Sequence, residues 1–339
     1  MTIVKNAWYV ACTAKDLQER PLGRNICNEP MALFRTESGQ AHALRDLCPH
    51  RKAPLSMGRV SGETLRCIYH GLAFNGAGQC THIPSQDAIP PRACVRSFPV
   101  REQYGLIWVW PGDPALADIG LLPERPWLED EAWDRDVVQY FNVKAAYTLM
   151  GDNLLDLSHV AFLHHTSIGF NPKLLEKDPL QTRVDEGAVS NERIFVGTTQ
   201  APAHKAWHEF PGEITRVQQS RWTPPANVTV LVRNEDASKQ VDLRADHFIT
   251  PETEGTHHYF VVISRNFRIG DAALSAQLDR DTRAVHMEDV EIAEAQQRMR
   301  GLFPDVPEMG LMADKGVRAA KRILDELIAK EQPRITVSA

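Results

Sequence analysis

The sequence has no long apolar run. Its longest, "YGLIWVWPG" from Tyr104, is far shorter than the roughly 20 residues a membrane-spanning helix needs. Strong net charge is lacking too: 38 Lys and Arg against 44 Asp and Glu leave −6 over 339 residues. That balance argues against a polyanion binder, so neither membrane nor nucleic acid is an expected partner. There is no internal repeat, no low-complexity segment, no Gly-x-Gly-x-x-Gly fingerprint and no plant-type four-cysteine cluster. The opening "MTIVKNAWYVACT" lacks a basic region, an apolar core and a cleavage site, so a cytoplasmic location is expected. There the six cysteines (Cys12, Cys27, Cys48, Cys67, Cys80 and Cys94) read as thiols or metal ligands rather than disulfides.

What is present is an ordinary folded composition, 43% hydrophobic and 24% charged, on a chain long enough for two domains. Up to about residue 110 the pattern is short strand-like runs broken by turn signals: "NAWYVAC", "MALFR", "HALRDL", "TLRCI", "LAFNGAGQC" and "YGLIWVWPGD". These predict a small antiparallel β domain. "PGDPALADIG" marks a seam, giving domains 1–113 and 114–339. The second region mixes strands ("QYFNVKAAYTL", "NVTVLVRN", "ADHFITPE", "HHYFVVISRNF") with helices ("MGDNLLDLSHVAFLHH", "LSAQLDRDTRAVHMEDVEIAEAQQRMRG", "DKGVRAAKRILDELIAKE"). The fold class is therefore α+β, with a central antiparallel sheet and helices in the larger domain.

Two loops carry the first concentration of chemistry, Cys48-Pro-His50 and Cys67-x-x-His70. A thiolate and an imidazole on one tight loop can reach one metal site at little entropic cost. Zinc fingers pair Cys with Cys on a hairpin and His with His on a helix, whereas here each loop holds one of each. Mixed loops fit a Rieske [2Fe–2S] cluster, each loop giving one ligand to each iron. Gly71 would let the second loop turn back and Pro49 would stiffen the first. Tyr69 would tune the cluster through a hydrogen bond or simply pack there.

The segment "MGDNLLDLSHVAFLHHTSIG" crowds Asp152, Asn153, Asp156, His159, His164 and His165 among apolar residues. On an ideal helix His159 and His164 lie about 140° apart, so they meet only if the helix distorts or ends between them. Spacing alone leaves a metal site and ordinary core or surface histidines both open. On the later helix Val285, Ile292 and Met299 form an apolar stripe on which Asp289 lies, and a carboxylate there must be protonated, paired or metal-bound. Glu288 and Glu291 read as solvent-facing. His204 and His208 form an i, i+4 pair between prolines and read as surface or pocket-lining residues. His257 and His258, adjacent in a strand, do not read as a ligand pair.

"CPHRKAPLSMG" and "CIYHGLAFNGAGQC" resemble the cluster-binding boxes of the Rieske non-haem iron oxygenases. The Asn-x-x-Asp-x-x-His run ending at His159, with His164 beyond it, resembles that family's mononuclear-iron segment. Weaker matches in order along the chain, among them "RPLGRNIC", "VAFLHHTSIGF", "FITPETEG" and "GVRAAKRILDELI", are similar to the vanillate and dicamba demethylase branch. The resemblance implies that Cys48 and Cys67 hold one cluster iron and His50 and His70 the other. It implies that His159, His164 and a carboxylate of the C-terminal helix, Asp289 in preference to Glu288, hold a mononuclear Fe(II), with Asn153 either a weak ligand or a structural neighbour. Asp156 would link a mononuclear-site histidine to a Rieske histidine of the neighbouring subunit, implying a head-to-tail homotrimer. A separate reductase, with flavin and a plant-type [2Fe–2S] centre, would pass electrons from NAD(P)H one at a time. The reaction implied is O2-dependent demethylation of a methoxylated aromatic acid to a phenol and formaldehyde. His247, before "FITPE", is a candidate substrate contact. Hydroxylation of a ring, a methyl or an N-methyl group is the alternative outcome. An electron-transfer Rieske protein with an inactive second domain is the alternative of another class.

Overall fold

The structure is a computed structural model that describes residues 3–331. The chain divides into two compact units, one of Met1–Leu122 with Thr250–Glu254, the other of Pro123–Ile249 with the chain from Gly255 onward.

The first unit is built of short antiparallel strands. They are β1 (Tyr9–Thr13), β2 (Leu22–Ile26), β3 (Glu29–Arg35), β4 (Ala41–Arg45), β5 (Arg59–Ser61) and β6 (Thr64–Arg66). Then follow β7 (Ala73–Asn75), β8 (Cys80–His82), β9 (Ser97–Phe98), β10 (Val100–Gln103) and β11 (Leu106–Val109). Three sheets result, ordered β1-β11-β10, β2-β3-β4-β9 and β5-β6-β7-β8. Phe34, Leu44, Leu55, Leu65 and Phe74 are fully buried in one cluster that also takes in Cys48, Cys67 and Cys80. No disulfide joins any of the six cysteines.

The second unit is organised on a seven-stranded antiparallel sheet. Its strands are β12 (Asp134–Val143), β13 (Gln181–Asp185), β14 (Ala188–Thr198), β15 (Ile214–Thr223), β16 (Asn227–Glu235), β17 (Gln240–Pro251) and β18 (His257–Arg265). They run in the order β12-β18-β17-β16-β15-β14-β13. The helices are α1 (Tyr147–Leu155), α2 (Leu174–Lys177), α3 (Pro202–Trp207), α4 (Ala272–Leu302) and α5 (Lys315–Glu331). α1 packs on β15 and β16, and α4 on β12 and α1. No helix among the described residues is long and apolar enough to cross a membrane.

The strand expected through "QYFNVKAAYTL" ends at Val143, and its last residues begin α1 instead. The helix expected through "MGDNLLDLSHVAFLHH" stops at Leu155, ahead of both histidines. Its last carbonyls are captured by the sheet: Ser220 Oγ donates to Leu154 O at 2.6 Å and Asn191 Nδ2 to Leu155 O at 2.8 Å. Those groups would otherwise continue the helix or face water, so their capture ends it. α4 also departs from its expected stripe. Ile292 and Met299 are exposed, and the buried face runs through Leu278, Thr282, Val285, His286, Asp289 and Ala293 at helical steps.

Candidate metal centres

The two loops of the first unit share one design. Cys48 N–H donates to Ala53 O and Lys52 N–H returns to Cys48 O, both at 2.9 Å. Cys67 N–H donates to Leu72 O at 2.9 Å and Gly71 N–H returns to Cys67 O at 3.0 Å. Closing each loop requires a left-handed residue at the equivalent place, Lys52 at φ 59° and Gly71 at φ 75°. A Cβ on Gly71 would also come within 2.9 Å of Pro84 Cγ, so only the second loop needs glycine.

This design buries both thiols while the loop tips carry His50 and His70 into solvent, their rings 4.4 Å apart. Burial pushes the Cys48 thiol up, and the neighbouring Cys67 adds to the rise. Paired thiols inside and paired imidazoles outside are the donor set of a Rieske cluster, which Cys48, Cys67, His50 and His70 would hold. Tyr69 is 61% exposed and packs on the His70 ring at 4.0 Å.

In the second unit the chain leaving α1 makes a tight turn, with Asp156 Oδ1 accepting from Ser158 N at 2.8 Å. The Asp156 carbonyl hydrogen-bonds His159 Nδ1. Further on, Ser167 N and Gly169 N donate to His164 O at 3.0 and 2.9 Å, fixing the loop behind that histidine. A Cβ at Gly169 would lie 2.7 Å from His165 Cα. α4 brings up Asp289, only 3% exposed. The result is a cluster in which the ligand atoms of His159, His164 and Asp289 all lie within 4.8 Å of one another.

Around these three atoms each polar group is committed in a way that suits a cation. His164 Nδ1 meets Glu288 Oε2 at 2.5 Å, so Nε2 faces Asp289 Oδ1, at 3.1 Å. His159 Nε2 lies 3.6 Å from the same oxygen. With Nδ1 occupied on both rings, Nε2 is the nitrogen each ring would offer to a metal, the usual arrangement of metal-binding histidines. Burial pushes the Asp289 carboxyl up, but the His164 hydrogen bond and the facing imidazoles outweigh it and hold it below the usual carboxylate range. Asn153 Nδ2 donates to Asp289 Oδ1 at 3.1 Å, while its Oδ1 is buried without a partner among the described residues. Two imidazoles, one ionised carboxylate and an orphaned amide oxygen fit iron(II) with open positions.

Next to this cluster Tyr259 is held protonated by burial and by the nearby Asp289 charge. It meets His247 Nδ1 at 2.6 Å, and with no other acceptor among the described residues it donates there. Burial and the nearby His286 keep His247 neutral, so its Nε2 carries the remaining proton. His286 in turn meets Gln139 Oε1 at 2.8 Å.

The solvent-facing reading of Glu288 is corrected: its carboxylate braces His164. Nothing in the local pattern separates it from Glu291, because the partner lies 124 residues away. His247, the candidate substrate contact, is buried at 2% exposure. His165 bonds to the Phe162 carbonyl, at 2.9 Å, and stays outside the cluster. His204 is buried and His208 lies at the end of α3, both lining a cleft with Trp207, Asn234 and Phe267.

Residues 7–99 match the Rieske [2Fe-2S] domain, and residues 143–330 the vanillate O-demethylase oxygenase C-terminal domain. A putative toluene-4-sulfonate monooxygenase system iron-sulfur subunit of Comamonas testosteroni is 37% identical, covering 97% of this chain and 98% of the relative. A vanillate O-demethylase oxygenase subunit of Pseudomonas sp. (strain HR199 / DSM 7063) is 35% identical, covering 97% and 96%. The crystal structure of dicamba monooxygenase bound to 3,6-dichlorosalicylic acid superposes with a TM-score of 0.92 at 34% identity, covering 98% of this chain and all of the other. The chain belongs to the Rieske non-haem iron oxygenases of the vanillate O-demethylase family, as an oxygenase component working with a [2Fe–2S] cluster, a non-haem iron, O2 and electrons from a reductase.

Proposed function

We propose that this oxygenase component demethylates a methoxylated aromatic acid of the vanillate kind. The observation that carries it is the convergence of His159, His164 and Asp289, with both outer ring nitrogens braced, beside a buried polar pair, Tyr259 and His247. When bound there, iron supplies O2 activation, fed by electrons from the cluster. The overall reaction takes one O2, two electrons and two protons, placing one oxygen atom in a methyl C–H bond and the other in water. The hemiacetal so formed loses formaldehyde and leaves a phenol.

The chain's own residues set the conditions. Asp289 stays ionised as the one carboxylate of the triad, and Asn153 steadies it from α1. Asp156, through its carbonyl, fixes the His159 ring, and its carboxylate is the residue we assign to electron passage from a neighbouring subunit's Rieske histidine. Cys48, His50, Cys67 and His70 hold the cluster. Neutral His247 offers its Nε2 proton to a polar ring substituent rather than a charge to an anion. Burial around the triad keeps water from the reacting atoms.

The same reading divides the chain into a Rieske domain (1–113) and a catalytic domain (114–339). It forms a head-to-tail homotrimer, a heterologous contact closed by rotation, working in the cytoplasm. A second outcome, hydroxylation of a ring-bound methyl group, is favoured by the similarity to a toluene-4-sulfonate monooxygenase subunit. Products separate the two: vanillate and 4-methoxybenzoate yield formaldehyde and a phenol, whereas 4-methylbenzenesulfonate yields a benzylic alcohol. Asp289→Ala and Asp156→Ala should each abolish turnover with the Rieske absorbance intact. Formaldehyde release at the parent rate by either variant would refute its assigned role.

A further inference from the structure

On the face of the large sheet that meets α1 lies a buried cation without a counter-ion. β15 alternates strictly and points Ile214, Arg216, Gln218, Ser220 and Trp222 inward. Arg216 is 1% exposed, and burial lowers its guanidinium only to about 10, so it is charged at neutral pH. Its Nη2 donates to Ile168 O at 3.0 Å and reaches Gln218 Oε1 at 3.4 Å. Its Nε has no partner, and among the described residues no carboxylate pairs with it.

Such a charge is costly to bury alone, and nature ordinarily supplies the other half of the pair. The surroundings specify what the missing half is. His204, neutral and fully buried, lies close enough to feel the Arg216 charge, and its Nδ1 also lacks a partner. Asn234, the direct cross-strand partner of Arg216, has an unpartnered buried Oδ1, and a flip of that amide presents a donor instead. The Phe170 ring lies 5.7 Å from the guanidinium carbon and packs tilted against Phe195, with ring centroids 4.6 Å apart. A fork of N–H groups beside an imidazole and aromatic rings suits a planar oxyanion on an aromatic ring, and the positive charge rejects a metal or ammonium ion.

The place is right for a substrate. Ser220, which holds the end of α1 beside Asn153, is four residues from Arg216 on β15, about 13 Å along the strand. The guanidinium turns toward Gln218, between the two. It also binds the carbonyl of Ile168, on the loop that carries His164.

We propose that Arg216, with His204 as second donor, receives the acid group of the substrate, a carboxylate or sulfonate, while His247 is left for a neutral ring substituent. This rests on the reading of the iron site as one for aromatic acids. It is tested by calorimetric binding to iron-loaded enzyme without reductase, so its outcome is independent of whether formaldehyde is the product. The probes are 4-methoxybenzoate, 4-methylbenzenesulfonate, neutral 4-methoxybenzamide and inorganic sulfate.

The parent should bind both anions about ten- to a hundredfold more tightly than the amide, the worth of a charged hydrogen bond. Arg216→Gln should erase that preference, weakening the anions far more than the amide. Should Arg216→Gln fail to fold, Arg216→Lys decides, since it keeps the charge and loses the fork: the preference should fall by about tenfold. Equal binding of acids and amide by the parent, or an undiminished preference in either folded variant, would overturn the proposal. So would Arg216-dependent sulfate binding that leaves the acids' affinities unchanged, because the site would then hold a separate inorganic anion.

Discussion

Glu288→Ala removes the carboxylate that holds His164 by Nδ1 at 2.5 Å. A bond this short between imidazole and carboxylate is charge-assisted, and it fixes both the tautomer and the ring angle of His164. Partners of this kind are worth about ten- to a hundredfold in metal affinity. The Glu288 side chain is 37% exposed, so water screens part of the effect and the loss belongs at the lower end. We expect iron(II) to bind about tenfold more weakly, or about 1.4 kcal/mol. Glu288→Gln keeps an acceptor in place without the charge and should lose only about threefold. The assay is anaerobic iron(II) titration against a chromophoric chelator, on protein whose Rieske absorbance is intact. An alanine variant that binds iron within about twofold of the parent would refute the bracing role. A glutamine variant as weak as alanine would mean that the carboxylate contacts the iron itself.

Asp289→Asn should lower the iron content from three per chain to two, read by elemental analysis alongside an unchanged cluster spectrum. Gly71→Ala meets both a φ of 75° and Pro84 Cγ at 2.9 Å, so it should cost about 1–2 kcal/mol and cluster occupancy, read by visible circular dichroism. Lys52→Gly, at the matching place with φ 59°, should retain the cluster and be neutral or slightly stabilising. Burial and the nearby Arg216 hold the His204 imidazole well below its ordinary range. The unfolded chain therefore binds the proton first: this contribution is complete above the unfolded pKa of about 6.5 and declines as pH falls below it. A thermal melt series should show that acid-side decline flattened in His204→Asn.

Most of the first unit could be read from the sequence because its signals are local. Turn residues separate short apolar runs, and each Cys/His pair sits on one loop. The equivalence of Lys52 and Gly71 could not, since Lys carries no mark of a left-handed backbone. In the second unit β16, β17 and β18 follow their apolar runs, whereas β13, β14 and β15 are not among the expected strands. The inward side of β15 sets Arg216, Gln218 and Ser220 between Ile214 and Trp222, so polar residues interrupt its apolar alternation. The same polarity ends α1 and lets the two histidines meet, which helical spacing alone could not foresee. Of the stripe through Val285, Ile292 and Met299 only Val285 is buried; Asp289 lies on the buried i, i+3, i+4 face of α4. Glu288 depends on a partner 124 residues away, and no window of sequence holds both halves of such a pair.

The measurement that tests the central claim most directly is stoichiometry: NADH consumed, O2 consumed and formaldehyde released with vanillate, using the oxygenase loaded with both metals and a surrogate reductase. The account predicts one formaldehyde per NADH and per O2, with the phenol formed in equal amount. NADH consumption that ends in hydrogen peroxide, without formaldehyde from vanillate or any other methoxybenzoate, would contradict it.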